Sequence, residues 1–341
     1  METHNGKGEN KNESMENNSD SSSNSNNRSY RRNLRLLQFL PIPELRISST
    51  TSLWDTGLLT EIKNQYEATH RVDIAILHQG TGLALASAAA GDADIVLVHA
   101  PTSELPFLTN STLVCRKIVA WNYFTIIGPN SDPANINGKN ATEALKSIAA
   151  YGRSQPSGAN VWISRNDASG TFTKEQNLWK AAGFNWTTIS KESWYASTGQ
   201  GMGATLVITD QKNAYTLSDL GTYLQFSRSG SVSSSQIALI QGSDYQLLNV
   251  YSVYAVNPQK ISNVSYNEAI TFIKWLISDA GQQVISNYGT ANYSQNLFSG
   301  AVQPLKTGSP QPDVQWIQQY AFFNGTECPT QYQDDHPELY T

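Results

Sequence analysis

LRISSTTSLWDTGLLTEIKNQYEATHRVDIAILHQGTGLALASAAAGDADIVLV, residues 45–98, decides the fold. Short β-rich runs at 45–48, 72–77 and 95–98 alternate with helical segments at 56–68 and 83–90. That βαβαβ rhythm predicts an α/β architecture with a parallel sheet and helices on both faces. Downstream it continues with strands at 118–127, ended by Gly128-Pro129, and at 161–164. Helices are expected at 141–151, 171–182 and from 205, then a Ser-rich loop at 227–235 and a short strand at 237–240. A long β-rich run at 247–256 stops at Asn257-Pro258, and 266–278 forms an amphipathic helix with Trp275 and Leu276 on its apolar side. From Asn296 the chain is rich in Pro, Gln and Gly, which predicts an irregular C-terminal extension over 296–341 packed on the surface.

A chain of 341 residues exceeds the usual single core, so two domains are expected. The net charge is −5 and no dense Lys/Arg block occurs, which argues against a nucleic-acid footprint or an anionic membrane surface. No run of about 20 apolar residues is present, so no membrane span is expected. Residues 1–44 are assigned to a disordered N-terminal segment, because 1–29 are almost wholly Asn, Ser, Glu, Lys and Gly. Arg31, Arg32, Leu34, Leu36, Leu37, Phe39 and Leu40 imitate a signal peptide. The apolar part is short, however, Arg35 interrupts it and Pro41 and Pro43 close it, so no clear signal peptide is read.

Asn-x-Ser/Thr triplets at Asn12, Asn17, Asn27, Asn110, Asn140, Asn185, Asn263, Asn292 and Asn324 point to an extracytoplasmic protein open to glycosylation, secreted, periplasmic or on the cell surface. Two cysteines, Cys115 and Cys328, are compatible both with a disulfide pinning the C-terminal tail and with two buried thiols.

Four times a Gly/Ser/Thr-rich loop falls between a strand and a helix: Ser49-Thr50-Thr51-Ser52, Gly80-Thr81-Gly82, Arg165 to Thr171, and Thr198-Gly199-Gln200-Gly201-Met202-Gly203. Each brings backbone N–H groups and hydroxyl donors to the positive end of a helix dipole, which is a site for an anion. One such loop is ordinary N-capping. Four at the carboxyl ends of strands predict convergence on one cleft, with Arg165 supplying the formal charge.

These loops, together with Asp55-Thr56-Gly57-Leu58-Leu59, Gly91-Asp92-Ala93-Asp94, Val98-His99-Ala100-Pro101 and Ser164-Arg165, resemble the tungstate-binding proteins of ABC import systems, over about residues 45–289. The resemblance implies a type II periplasmic-binding-protein fold, two α/β lobes joined by crossover hinge strands near Ile126 and Val253. Lobe I would take 45–127 plus 251–295 and lobe II 128–250. It further implies a small tetrahedral oxyanion as ligand and an ABC permease as partner, for a chain expected to be a monomer. Carried over, Thr50, Thr51, Ser52, Thr81, Arg165, Ser169 and Thr198, Gly199, Gln200, Gly201 and Met202 become the donors. Asn166 and Ala168 stand where the family tends to have a glycine and an acid, and Trp121-Asn122-Tyr123-Phe124 replaces its Tyr-Asn-Asp-Phe.

Tungstate and molybdate offer acceptor oxygens alone and suit a site made of donors. Phosphate usually carries a proton that wants a carboxylate, and Asp55 and Asp167 near the loops keep phosphate open; sulfate differs chiefly in size. Two rival readings stand beside this one. The first is a secreted or surface sensor or scavenger on the same fold without a transporter. The second is an aspartic-type hydrolase, since Asp55-Thr56-Gly57 matches an aspartic-protease half-site. Its second copy, Asp167-Ala168-Ser169-Gly170, carries an extra residue, and the βα rhythm is wrong for an all-β protease. His4, His70, His78, His99 and His336 show no metal-ligand spacing, and no nucleophile elbow or Walker loop occurs, so neither catalysis nor a metal or cofactor is expected.

Overall fold

A computed structural model describes residues 41–240, 242 and 244–341. The expected disorder up to residue 40, the signal-peptide-like run and the triplets at Asn12, Asn17 and Asn27 lie outside the described residues.

From Glu44 the chain runs β1 (Glu44–Thr50), α1 (Thr51–Asp55), α2 (Leu58–Glu67), β2 (Asp73–Gln79), α3 (Thr81–Ala90), β3 (Ile95–Val98), α4 (Pro101–Thr109) and β4 (Leu113–Pro129). It continues through α5 (Ala141–Ser154), β5 (Trp162–Ser164), α6 (Gly170–Ala181), α7 (Trp186–Ile189), β6 (Tyr195–Ser197), α8 (Met202–Lys212), β7 (Thr216–Asp219), α9 (Leu220–Arg228) and β8 (Gln236–Ile240). After a 3₁₀ turn at Tyr245–Leu247 come β9 (Leu248–Val256), α10 (Tyr266–Ile277), α11 (Asp279–Asn287), α12 (Thr290–Tyr293), β10 (Ser299–Gly300), α13 (Val302–Thr307) and α14 (Asp313–Ala321).

The chain forms a two-lobed α/β structure built around β4. Its first part pairs with β9, in a lobe I sheet ordered β2-β1-β3-β9-β4-β10. From Phe124 to Pro129 the same strand pairs with β7 and β8 in lobe II. One continuous strand therefore belongs to both lobes. All but one of its residues are buried, so it lacks the period-two alternation that marks strand ends, and the sequence reading recovered only 118–127 of it.

Lobe I packs Leu45, Ile47, Leu59, Ile95, Phe272 and Ile273 around its sheet. Lobe II packs Trp162, Trp179 and Trp194 with Leu145, Ile148 and Leu217. At the centre of lobe II the buried Glu175 carboxylate accepts from Trp162 Nε1 at 2.8 Å, Ser164 Oγ at 2.8 Å and Tyr195 OH at 2.5 Å. Burial pushes that carboxyl up from its ordinary value.

Three expectations need correction. The sheet is mixed: β1 pairs parallel with β2 and β3, while β9 pairs antiparallel with both β3 and β4. Val253 is not at a crossover. It lies opposite Leu97 and Lys117 in the middle of the lobe I sheet, so the chain has returned to lobe I before β9 begins. Because β9 is buried throughout, hinge and mid-sheet positions read alike in sequence. The C-terminal extension, expected to be irregular, contains α13 and α14. Gln and Pro masked the helical pattern that Val314, Ile317 and Ala321 make on the buried side of α14.

Candidate functional site

The four loops meet where the lobes face each other. In lobe I, β1 runs directly into α1, and Thr50 Oγ1 caps that helix by accepting from Leu53 N at 3.4 Å. Thr51 Oγ1 accepts from Arg165 Nη2 of lobe II at 3.2 Å. Ser52 Oγ is buried and has no hydrogen-bond partner among the described residues. Thr81 opens α3, and its hydroxyl accepts from Gly170 N at 3.1 Å, while Gly82 N donates to Ala168 O at 2.8 Å. A Cβ at Gly80 would lie 2.9 Å from Ala168 O, so glycine is needed for this approach.

From lobe II, Ser169 caps α6 by accepting from Phe172 N at 3.1 Å, and its hydroxyl donates to Asp167 Oδ1. The Thr198–Met202 loop closes the ring. Gly199, at φ +65°, has its N–H bonded to Arg165 O at 2.8 Å, and Gln200 N donates to Thr198 Oγ1 at 3.2 Å. Gly201 faces Thr51, since a Cβ there would sit 3.8 Å from Thr51 Cγ2. The Met202 side chain is buried with Ile127, Leu206 and Tyr223, which leaves its backbone N–H as the group at the start of α8.

Arg165 is the centre of this arrangement and is 2 % exposed. Nη2 also binds Asp167 Oδ2 at 2.6 Å and Nη1 reaches Thr171 Oγ1 at 3.4 Å. Nε is buried with no hydrogen-bond partner among the described residues. A buried donor without an acceptor is costly, so Arg165 Nε and Ser52 Oγ are each suited to an acceptor oxygen. Both Asp167 oxygens are engaged by Arg165 and Ser169.

Asp55 crosses the lobes to accept from Gly203 N at 3.4 Å. Burial pushes its carboxyl up, opposed by that N–H and by Arg165. Asp219 caps α9 through Thr222 N at 2.9 Å, and burial pushes it up to about 6. His99 lies against Gly170, where a Cβ would be 2.8 Å from Cε1, and bonds Asn249 Oδ1 at 2.8 Å. Burial lowers its pKa to about 4, so it is a neutral part of the floor. Asn166 adopts φ +45°, a left-handed conformation asparagine tolerates, which explains how it replaces the family's glycine.

Sequence reasoning did not foresee Thr171 as a partner of Arg165. The signal was its position directly after Ser169-Gly170, at the first turn of α6. Cys115 and Cys328 are both buried free thiols. Among the described residues no cluster of His, Cys, Asp and Glu suits a metal ion, and no helix is long and apolar enough to cross a membrane.

A model of the PBP superfamily domain matches residues 41–280. The tungstate-binding protein TupA of Campylobacter jejuni is 36% identical over 70% of this chain and 84% of that protein. A solved structure of the tungstate ABC transporter from Geobacter sulfurreducens is 40% identical at a TM-score of 0.64, covering 72% of this chain and 98% of that one. The tungstate-binding protein TupA from Desulfovibrio alaskensis G20 is 35% identical at 0.63, covering 76% and 98%. The chain belongs to the PBP superfamily and, within it, to the family of tungstate-binding proteins.

Proposed function

We propose that this chain binds tungstate, with molybdate as the near competitor, between its lobes and hands it to an ABC permease outside the cytoplasm, as a monomer and without catalysing a reaction. The observation that carries the reading is that Arg165 of lobe II donates to Thr51 of lobe I while its Nε, and the Oγ of Ser52, next to Thr51 in the chain, stay buried and unpartnered among the described residues. A fully ionised tetrahedral oxyanion offers acceptors to both, and the starts of α1, α3, α6 and α8 add backbone N–H groups and dipoles. The residues assigned to it are Thr50, Thr51, Ser52, Thr81, Arg165, Ser169 and the Thr198–Met202 loop, the last through the backbone N–H groups of Gly201 and Met202, since those of Thr198, Gly199 and Gln200 are bonded within lobe II. Asp167 already accepts through both oxygens, which favours an anion without a proton over phosphate.

A thermal-shift panel with tungstate, molybdate, sulfate and phosphate tests this, because a ligand selective for the folded state raises the midpoint by mass action. Tungstate should give the largest rise. Equal rises with phosphate, or none with any oxyanion, would remove the reading.

A further inference from the structure

Lys174 lies on α6, the helix whose first residues build the site, and is 5 % exposed. Its ammonium meets Gln246 O at 3.3 Å, the ring of Tyr320 with its centroid 4.2 Å away and the ring of Phe124 at 5.8 Å. No carboxylate is hydrogen-bonded to it among the described residues, although buried ammonium groups are normally paired. The Tyr320 ring is delivered by α14, which packs Ile317 and Ala321 on Ile118, Trp121, Leu248 and Val250 of lobe I. A helix anchored on lobe I thus supplies the aromatic face for a cation of lobe II. The segment joining the lobes supplies the carbonyl.

We propose that Lys174 is a positioning residue for the oxyanion, a second cation set behind the start of α6 and held there by the C-terminal extension. A cation so placed is stabilised when a dianion occupies the first turn of its helix, and by reciprocity its charge tightens the anion's binding. Burial lowers the Lys174 pKa to about 7, so its charge is lost just above neutrality unless an anion holds it. The groups facing it are Asp244 of the joining segment, which raises it, His99 of lobe I, and the Tyr320 ring. Its neighbour Glu175 faces Trp162 and Tyr195 instead. Asp219, pushed up to about 6, titrates below the window in question.

The inference rests on the oxyanion reading, and calorimetric titration of the full chain with tungstate between pH 6.5 and 9 separates the two. If wild type binds no tungstate at pH 6.5, the oxyanion reading itself fails. If it binds, affinity should fall as pH rises. Lys174→Met should bind about tenfold more weakly at pH 6.5, and the gap should close near pH 9. Tyr320→Leu, which keeps the apolar contact and removes the ring beneath the ammonium, should move the fall in affinity to lower pH. It decides the matter should Lys174→Met fail to fold. A wild-type pH profile in Lys174→Met, or in Tyr320→Leu if that variant alone folds, overturns the proposal.

Discussion

The cleft and the C-terminal extension set their buried cations against different partners. In the cleft Arg165 keeps one buried N–H without a protein acceptor, and Nη2 of the same side chain reaches Thr51, the residue before the unpartnered Ser52 hydroxyl. Behind the lobe I sheet, Arg116 and Lys117 are closed off by the extension. Arg116 donates through Nε to Tyr254 OH and through Nη1 to Glu327 O, both at 2.7 Å, and stacks on Phe323 at 4.3 Å; its Nη2 makes no hydrogen bond among the described residues but has the Glu104 carboxylate 3.6 Å away. Lys117 Nζ meets Glu327 Oε2 at 2.7 Å. The other Glu327 oxygen accepts from Ile118 N at 2.5 Å, where the β4–β9 register shifts on either side. A bulged strand leaves a backbone donor unpaired, and here the extension satisfies it. In the cleft the cation joins the two lobes, through Thr51; behind the lobe I sheet the cations fasten the C-terminal extension to β4.

If that contrast is right, removing residues 296–341 should do the greatest damage. It takes Glu327 away from Arg116 and Lys117 and Phe323 away from Arg116, and uncovers Ile118, Trp121, Leu248 and Val250. The truncated chain is expected in the insoluble fraction, and a soluble, cooperatively melting product would refute the fastening role. Glu327→Ala isolates one fastening and should cost about 3–5 kcal/mol in urea unfolding, the usual result of orphaning a buried charge. On the other side of the contrast, Arg165→Ala should weaken tungstate binding by about 2–5 kcal/mol in calorimetry, with a smaller effect on stability than Glu327→Ala.

His99 sharpens the comparison through pH. Its folded pKa of about 4 lies below the ordinary 6.5, so the stability it contributes is complete above 6.5 and declines as pH falls towards 4. The loss is about 3 kcal/mol, and His99→Gln should remove it from the pH profile of unfolding. Asp219 acts with the opposite sign between about 4 and 6, so the difference between wild type and His99→Gln is the quantity to read. The smallest effect belongs to Asn166. Asn166→Ala places a residue with little tolerance for φ > 0 at +45° and should cost about 1–2 kcal/mol, while Asn166→Gly should be nearly neutral.

The cleft was legible in the sequence because its signal is local. A strand, a run of Gly, Ser and Thr, and a helix occupy a dozen contiguous residues, and four repeats of that pattern force a common edge. The structure joins two of these loops across the lobes, from Arg165 to Thr51 and from Gly170 to Thr81. The extension was illegible because its structure depends on partners about 210 residues away: Glu327 has meaning only once β4 has bulged at Lys117 and Ile118. The second crossover was lost for a related reason, since a strand buried on both faces carries no mark of which lobe it serves. Lys174 escaped notice because a lysine in a helix reads as solvated, and only Tyr320 and Gln246 reveal that it is not.

The most direct test is a crystal structure of the full chain grown with sodium tungstate, with the ion located by anomalous scattering at the tungsten edge. A single peak should stand between the lobes, with oxygens within hydrogen-bonding reach of Arg165 Nε and Ser52 Oγ. A peak elsewhere on the molecule, or none in crystals of protein shown to bind the ion, would contradict the account.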